Sequence, residues 1–308
     1  MSELREIYLD NAATTRVSPD VATLICECML EGYGNPSSAH RAGIAAERRI
    51  KKARAQLATA IGDPSGKHGR IIWTSGGTES DALGVLAAGR SKKQHTKVVV
   101  SAVEHPAVKQ SAALLKEQGW EMATVPVNRV GGIESDKLAE VVDKGTGVLA
   151  LMLVNNELGT ILAIAELAAQ ARAISPDIHV HCDAVQALGK IPVDVVALGA
   201  DSVAFAAHKL HGPKGVGALW LKNGARFRPF WAGGGQQDGL RSGTDNVPGI
   251  AGFGAAAEIA TKDLAAQREW GLIDGNDYDL VNEMMRVAPL AGCPPGQAPK
   301  RLLMNRGN

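Results

Sequence analysis

One lysine in the sequence stands where an amine could act as a nucleophile. Lys209 follows an apolar run in AFAAHKLHGPKGVGAL (204–219) and is flanked by small residues and by His208. Partial burial lowers the pKa of a lysine amine and so increases its nucleophilicity, which suits Schiff-base formation. A surface turn in which Lys209 and Lys214 both face water accounts for this stretch, taken alone, equally well.

An acidic residue ends another apolar run. Asp183 comes directly after HVHC (179–182), where a strand leaves the predicted core. A carboxylate at such a depth is tolerated when a cation pairs with it, for example a protonated ring nitrogen of a cofactor. The alternative is that Asp183 caps the segment that follows.

A glycine turn offers a place for a phosphate. SGGTES (75–80) follows a strand-like run and precedes the helix-like DALGVLAAG. Backbone N–H groups at a helix start bind anions, and Gly76 and Gly77 let a ligand approach the backbone closely, beside the hydroxyls of Ser75 and Thr78. A plain tight turn remains the alternative.

The elements that must position these residues alternate along the chain. Apolar β-rich runs alternate with alanine-rich amphipathic stretches, which is typical of parallel strands joined by helices. Helices are predicted after Ser18, after Ser135 and over 41–61. The seven predicted strands are IIWT from Ile71, KVVVS from Lys97, ATVPV from Ala123, GVLALMLV from Gly147, HVHC from His179, DSVAF from Asp201 and GALWL from Gly217.

The strand order along the chain brings these chemical groups together. Ligands of open α/β sheets bind outside the carboxyl ends of the strands, and the glycine turn, Asp183 and Lys209 each follow a strand. A phosphate site, an acid for a ring nitrogen and a Schiff-base lysine are together what pyridoxal 5′-phosphate requires. His105, after the strand at 97–101, could stack on the ring, although a lone histidine is more often simply packed.

Composition excludes several other classes of protein. The 308 residues carry 33 Lys and Arg against 32 Asp and Glu, a net charge of +1 that favours neither nucleic acid nor an anionic membrane. The apolar runs are too short to span a bilayer and the amino terminus lacks a signal pattern, so a cytoplasmic protein is expected. The four cysteines, at 26, 28, 182 and 293, form no disulfide framework or metal motif. No metal site is predicted.

Eight motifs carry a family resemblance, in order and over residues 6–262. They are YLDNAATT, GNPSSAH, TSGGTESDAL, EHPAV, VNNELGT, HCDAVQALGKIPVD, AHKLHGPKGVGAL and RSGTDNVPGI. In these motifs the chain resembles cysteine desulfurases of the NifS/IscS type, within the class V aminotransferase group. This resemblance implies an α/β protein of the pyridoxal-phosphate-dependent transferase type (fold type I), with a mainly parallel seven-stranded sheet, a large domain at 15–262 and a reduced small domain at 1–14 plus 263–308.

The resemblance also implies residue roles. Lys209 holds the cofactor covalently and moves a proton, and His105 stacks on the ring and takes part in catalysis. The other cofactor-binding residues are Asp183 at the ring nitrogen, Gln186 and Asn156 at the ring oxygen and substrate, Gly77, Thr78 and His208 at the phosphate, and Thr244 reaching in from a second subunit of a homodimer. The implied reaction converts L-cysteine to L-alanine and passes sulfur to a thiol, for sulfur and iron–sulfur cluster metabolism, with a sulfur-acceptor or scaffold protein as a possible partner.

The chain departs from the family pattern in two places. After Lys262 it has no match to the family's cysteine loop or to the arginine segment that binds the substrate carboxylate, and only Cys293 is available late in the chain as a sulfur acceptor. Ala206 stands where the family usually has a hydroxyl near the phosphate, while Cys182 is expected to point away from the ring. The alternatives are a catalytically impaired scaffold or truncated homologue, and a selenocysteine lyase or other class V reaction.

Overall fold

The computed structural model describes residues 8–230 and 232–269, with no side-chain description for 267–269. All seven predicted strands are present in one sheet of order β1-β7-β6-β5-β4-β2-β3. The α/β class with a mainly parallel seven-stranded sheet is therefore confirmed. The strands are β1 Gly69–Thr74, β2 Lys97–Ser101, β3 Glu121–Val125, β4 Thr146–Met152, β5 His179–Asp183, β6 Ser202–Ala206 and β7 Gly217–Lys222.

Strand direction places the chemistry at one edge of the sheet. Strands β3, β2, β4, β5 and β6 pair in parallel, and β7 pairs antiparallel with both β6 and β1. Six strands therefore run in the same direction, and only β7 runs against them. The carboxyl ends of β1, β2, β4, β5 and β6 all lie at the same edge.

Helices cover the sheet, and the apolar strands are buried on both faces. In β4, Leu149 and Leu151 pack into the larger hydrophobic cluster, while Val148 and Ala150 pack into a second cluster on the other face. Such double burial explains why the strands read as unbroken apolar runs. The helices are α1 Pro19–Leu30, α2 Arg41–Ala60, α3 Gly77–Ala82, α4 Pro106–Glu117, α5 Ser135–Val141, α6 Ile164–Ile174 and α7 Val247–Glu269.

Side-chain caps mark the starts of three helices, α1, α2 and α4. Ser18 caps α1 as predicted, with Pro19 in its first turn. Helix α5 starts one residue earlier than expected, at Ser135 itself with Glu134 as its cap, and β3 starts two residues before the predicted Ala123 because it pairs in register with β2. The shift of β3 reflects long-range pairing that the local sequence does not encode.

The long helix α2 packs against α7. Its buried residues Ala46, Ile50, Ala53 and Leu57 form a single stripe. At the crossing, a side-chain Cβ built at Gly254 of α7 would lie 2.5 Å from the Cα of Ala53, so the two backbones approach as closely as glycine permits.

Candidate active site

The shared sheet edge collects most of the predicted site residues. The glycine turn follows β1, His105 follows β2 and precedes α4, and Asp183 ends β5. Lys209 lies in a short 3-10 turn, Ala207–Lys209, directly after β6. Asn156 is half-buried in the turn after β4, whereas Thr244 is exposed on the segment before α7.

Lys209 is half-buried, which contradicts the alternative of a fully solvated turn. Its Nζ donates to the backbone carbonyls of Ala12 at 2.5 Å and Ala13 at 2.9 Å. Burial lowers the pKa of the Lys209 amine, and the nearby carboxylates of Asp183 and Asp10 partly oppose that change. The amine is thus oriented, partly desolvated and more readily neutral than a surface lysine.

The N-terminal segment, residues 10–15, crosses the site and packs on the turn that holds Lys209. The backbone N–H of Thr15 donates to the carbonyl of His208 at 2.9 Å, and the Thr14 hydroxyl lies 3.2 Å from His208 Nδ1. Sequence reasoning gave NAATT no role. The run of small and hydroxyl residues in NAATT is the only local signal for this contact with the site. The predicted domain boundary between residues 14 and 15 stays a prediction.

Asp183 is a buried carboxyl with an incomplete set of partners. The residue is only 5% exposed, and its Oδ1 accepts a hydrogen bond from the backbone N–H of Val185 at 2.9 Å. This bond agrees with the capping alternative for one oxygen, but Oδ2 has no partner among the residues that the structure describes. Burial raises the pKa of this carboxyl, while the Val185 N–H, His105 and Lys209 lower it. A cation beside Oδ2 would complete the site.

Two further buried acids lie close to Asp183 and were missed from the sequence. Glu104 is 3% exposed, accepts from the Ser101 hydroxyl at 2.5 Å and the Met152 N–H at 2.7 Å, and its Oε2 is buried without a partner among the described residues. Burial raises the pKa of Glu104 to about 8. Its place in EHPAV was the only signal, because the contact with Met152 comes from β4, 48 positions along the chain.

The second missed acid, Asp81, forms a buried polar chain. Its Oδ1 lies 3.2 Å from His181 Nε2, and His181 Nδ1 lies 2.9 Å from the Ser202 hydroxyl. Burial raises the pKa of Asp81 well above its usual range and lowers that of His181 to about 3. His181 is therefore neutral at pH 7, so its contact with Asp81 is a hydrogen bond rather than a salt bridge, despite the short separation.

A cavity of about 400 Å³ lies at the glycine turn. A Cβ built at Gly76 would meet no atom within 4 Å, whereas one built at Gly77 would lie 2.9 Å from Val185 and 3.5 Å from the Ala206 Cβ. Burial lowers the pKa of His208 to about 4, with a smaller effect of Lys209 and Lys214. The cavity is lined by Ala13, Thr14, Ser75, Gly76, Gly77, Thr78, Glu79, His208, Lys214 and Gly215.

A carboxylate in this lining is already neutralised by an arginine. Glu79 Oε1 accepts from Arg241 Nε at 2.9 Å, and Oε2 accepts from the Ser75 N–H at 2.6 Å. Burial acts to raise the pKa of Glu79, but the bonds from Arg241 and Ser75 outweigh it and lower the pKa overall. The pairing with Arg241 makes a carboxylate compatible with an anion in this cavity.

His105 and the asparagine pair are positioned by backbone contacts. His105 caps α4, because its Nδ1 accepts from the Ala107 N–H at 3.1 Å, which leaves Nε2 as the ring atom able to contact a ligand. Asn155 organises the turn that holds Asn156: the Asn155 Oδ1 accepts from the N–H groups of Glu157 and Leu158.

The described cysteines lie away from the cavity lining. Cys182 is fully buried in the larger hydrophobic cluster, and burial raises the pKa of its thiol well above the usual range. Cys28 is buried and Cys26 is exposed on α1, while Cys293 lies outside the described residues. Within the described part of the chain, no group of three or more histidine, cysteine or acidic side chains could hold a metal ion, and no helix is long and apolar enough to cross a membrane.

Comparison with known proteins gives consistent matches. The aminotransferase class-V family profile matches residues 7–272. The cysteine desulfurase IscS of Dictyoglomus turgidum is 42% identical over 287 residues, covering 92% of this chain and 71% of that protein. The cysteine desulfurase NifS of Azotobacter vinelandii is 38% identical over 83% of this chain and 63% of its own length.

Solved structures give the same result for the fold. A structure described as a NifS-like protein superposes with a TM-score of 0.81 at 38% identity, covering 86% of this chain and 72% of the other. A second, described as SspA in complex with cysteine, gives a TM-score of 0.76 at 32% identity over 82% of this chain and 72% of the other. The chain thus spans between 63% and 72% of the length of these relatives.

Proposed function

Because the chain belongs to the aminotransferase class-V family, we propose that it binds pyridoxal 5′-phosphate and converts L-cysteine to L-alanine with transfer of sulfur to a thiol. The observation that carries this proposal is the convergence of Lys209, Asp183 and the glycine-turn cavity at one edge of the sheet. The relatives named cysteine desulfurase support the substrate class.

The residues present fit this cofactor. The open backbone at Gly76 and the neutral ring of His208 suit a phosphate, and the hydroxyl of Thr78 lies in the same lining. Asp183, buried with Oδ2 free of described partners, suits a cationic ring nitrogen. His105 and Asn156 would contact the ring and substrate from the neighbouring strand ends, and Gln186 would contact the ring oxygen.

The chain's own residues would supply the nucleophile and transfer protons in this reaction. When bound, the cofactor stores the electron pair released on the substrate carbon. Lys209, whose pKa is lowered by burial, loses its proton more readily than a surface lysine, and its Nζ can then attack a carbonyl carbon and later carry a proton. The carbonyls of Ala12 and Ala13 orient that Nζ, and His105 uses Nε2 because Nδ1 is engaged in capping α4.

The sulfur step balances with one thiol acceptor. L-Cysteine and a thiol, R–SH, give L-alanine and the persulfide R–S–SH: the substrate C–S bond breaks, an S–S bond forms, and the hydrogen of the thiol remains in the products. None of the three described cysteines lines the cavity. The acceptor is therefore a thiol supplied from outside the described residues, with Cys293 as the candidate within this chain.

Two alternative functions would use the same site residues. L-Selenocysteine differs from L-cysteine in one atom, so a lyase for that substrate would use Lys209 and Asp183 in the same way. A cofactor-binding scaffold is the second candidate, favoured by the absence of a cysteine from the cavity lining within the described residues. In this proposal the protein acts as a cytoplasmic homodimer in iron–sulfur cluster assembly.

The test is alanine production from L-cysteine by the cofactor-loaded protein with dithiothreitol as acceptor. We expect Lys209→Ala to lower the rate by about a hundredfold or more, because it removes the attacking amine and the proton carrier. Lys222→Ala is the matched control: Lys222 lies at the end of β7 that is remote from the site, so this variant should keep the wild-type rate.

Parallel assays separate the alternatives. L-Selenocysteine replaces L-cysteine in one, and Cys293→Ser replaces the wild-type chain in another. A visible cofactor band that L-cysteine shifts, without alanine in any assay, would contradict the desulfurase and support the scaffold.

A further inference from the structure

A second buried lysine lies beside the site, and the reaction outlined above gives it no role. Lys190 is 8% exposed at the end of the turn that follows β5. Its Nζ donates to Gln186 Oε1 at 2.6 Å, and it forms no ion pair with any residue between 8 and 269 that the structure describes. Burial lowers the pKa of this amine to about 7, with Lys209 as the second cause. Burial of an amine without a carboxylate partner costs free energy of folding, so the role of the Lys190–Gln186 contact has to be explained.

The contact fixes which way the Gln186 amide points. The side chain of Gln186 bonds at its other end to the carbonyl of Ala12, at 2.9 Å. A carbonyl only accepts hydrogen bonds, so the Nε2 group must face Ala12 and Oε1 must face Lys190. A flipped amide would set Oε1 against the Ala12 oxygen and the Nε2 donor against the Lys190 amine, so Lys190 and Ala12 both stabilise the observed orientation.

The same carbonyl links this pair to Lys209. The Ala12 carbonyl oxygen accepts from both Gln186 Nε2 and Lys209 Nζ, at 2.9 and 2.5 Å. Lys190, Gln186, Ala12 and Lys209 therefore form one continuous hydrogen-bonded chain. Gln186 Nε2 carries a second N–H that the Ala12 bond does not use.

We propose that Lys190 is a positioning residue that holds the Gln186 carboxamide with its second N–H directed to the ring oxygen of the cofactor beside Lys209. This inference rests on the proposed function, since the cofactor supplies the oxygen. Lys190 acts only through Gln186 and touches neither cofactor nor substrate.

A double-mutant cycle tests this dependence. Lys190→Met removes the donor at similar volume, and Gln186→Met removes both ends of the amide. The first measurement is the dissociation constant of pyridoxal 5′-phosphate, determined from the visible absorbance of the cofactor. The second is urea unfolding of each apoprotein, which reports the Lys190–Gln186 bond without any cofactor.

We expect Lys190→Met to weaken cofactor binding about tenfold in the wild-type background and by less than about twofold when Gln186→Met is present. The apoprotein cycle should also show coupling between the two positions. Lys190→Arg keeps a donor and should recover part of the lost affinity, which a purely volume-filling role would not produce.

The other outcomes overturn the inference in distinguishable ways. Coupling in apoprotein unfolding with unchanged cofactor affinity in Lys190→Met would make the bond structural only. Equal losses of affinity with and without Gln186 would mean that Lys190 acts by another route. If the wild-type protein bound no pyridoxal 5′-phosphate, the proposed function would fail first, and no positioning role toward the cofactor would remain.

Discussion

At the scale of single residues, the site is an apolar setting in which most ionisable groups are shifted toward their neutral forms. Burial raises the pKa values of Asp81, Glu104 and Asp183, and lowers those of Lys190 and Lys209. A ligand with a cationic ring and an anionic phosphate would shift these acids and lysines back toward their charged forms.

The pH dependence of stability should reveal this suppression at Glu104. Its pKa is about 8 in the folded chain against a usual value of 4.5, so between these values the folded state holds a proton that the unfolded state has lost. Folding stability attributable to Glu104 is therefore present below about pH 4.5 and falls as pH rises toward 8. We expect Glu104→Gln, which removes this titration, to be more stable than wild type by a few kcal/mol at about pH 9, with a much smaller gain at about pH 5.5.

Urea unfolding of the apoproteins at the two pH values measures the difference. Glu166→Gln, a change of an exposed carboxylate on α6, is the control and should have the same small effect at both. A Glu104→Gln effect that is equal at both pH values would contradict the shifted titration.

At the scale of elements, the sequence predicted the strands better than the contacts between them. The strands were legible because burial on both faces makes each an unbroken apolar run, as β4 illustrates. Lys209 and Asp183 were identified because each directly follows such a run. Lys190 and Ala12 were not, because their roles depend on partners that only folding brings near, with Ala12 separated from Lys209 by 197 positions.

One helix also departs from its predicted regular form. The stretch after the glycine turn forms α3 and then widens into a π-helix, Leu83–Ala87. Gly84 lies in it, and a Cβ built there would lie 2.1 Å from His181 Nδ1. The sequence predicts a helix here, but the wide turn and the missing side chain accommodate a buried histidine from β5.

Two glycines that serve different elements should respond oppositely to alanine. At Gly76 the added Cβ enters the open cavity, so Gly76→Ala should weaken pyridoxal 5′-phosphate binding about tenfold and change stability little. At Gly254 the added Cβ meets the backbone of Ala53, so Gly254→Ala should destabilise the fold by about 1–3 kcal/mol through separation of α2 and α7.

Cofactor titration and urea unfolding of both variants check this contrast. Each variant serves as the control for the other, because both make the same chemical change. Loss of stability in Gly76→Ala, or none in Gly254→Ala, would contradict the packing described for that element.

At the scale of the whole molecule, the proposed homodimer gives Thr244 its function. Thr244 is exposed and is not part of the cavity lining in its own chain, although Arg241 of the same segment pairs with Glu79 there. In a two-fold symmetric dimer, a segment of one subunit can complete the site of the other, and the exchange is reciprocal. A hydroxyl in such a position would donate to the phosphate of the neighbouring site.

Mixed dimers of differently tagged chains can test this exchange. In a dimer of one Lys209→Ala chain and one Thr244→Val chain, completion across subunits leaves one site with both residues intact, so about half of the wild-type sites should bind cofactor at a limiting concentration. In a dimer of wild type with the Lys209→Ala/Thr244→Val double variant, the site that retains Lys209 receives the substituted valine from its partner and should bind about tenfold more weakly. Borohydride reduction and mass spectrometry count the lysine-linked cofactor in each case. The reverse pattern would place Thr244 in its own chain's site, and a monomeric mass of the wild-type protein in solution would overturn the homodimer itself.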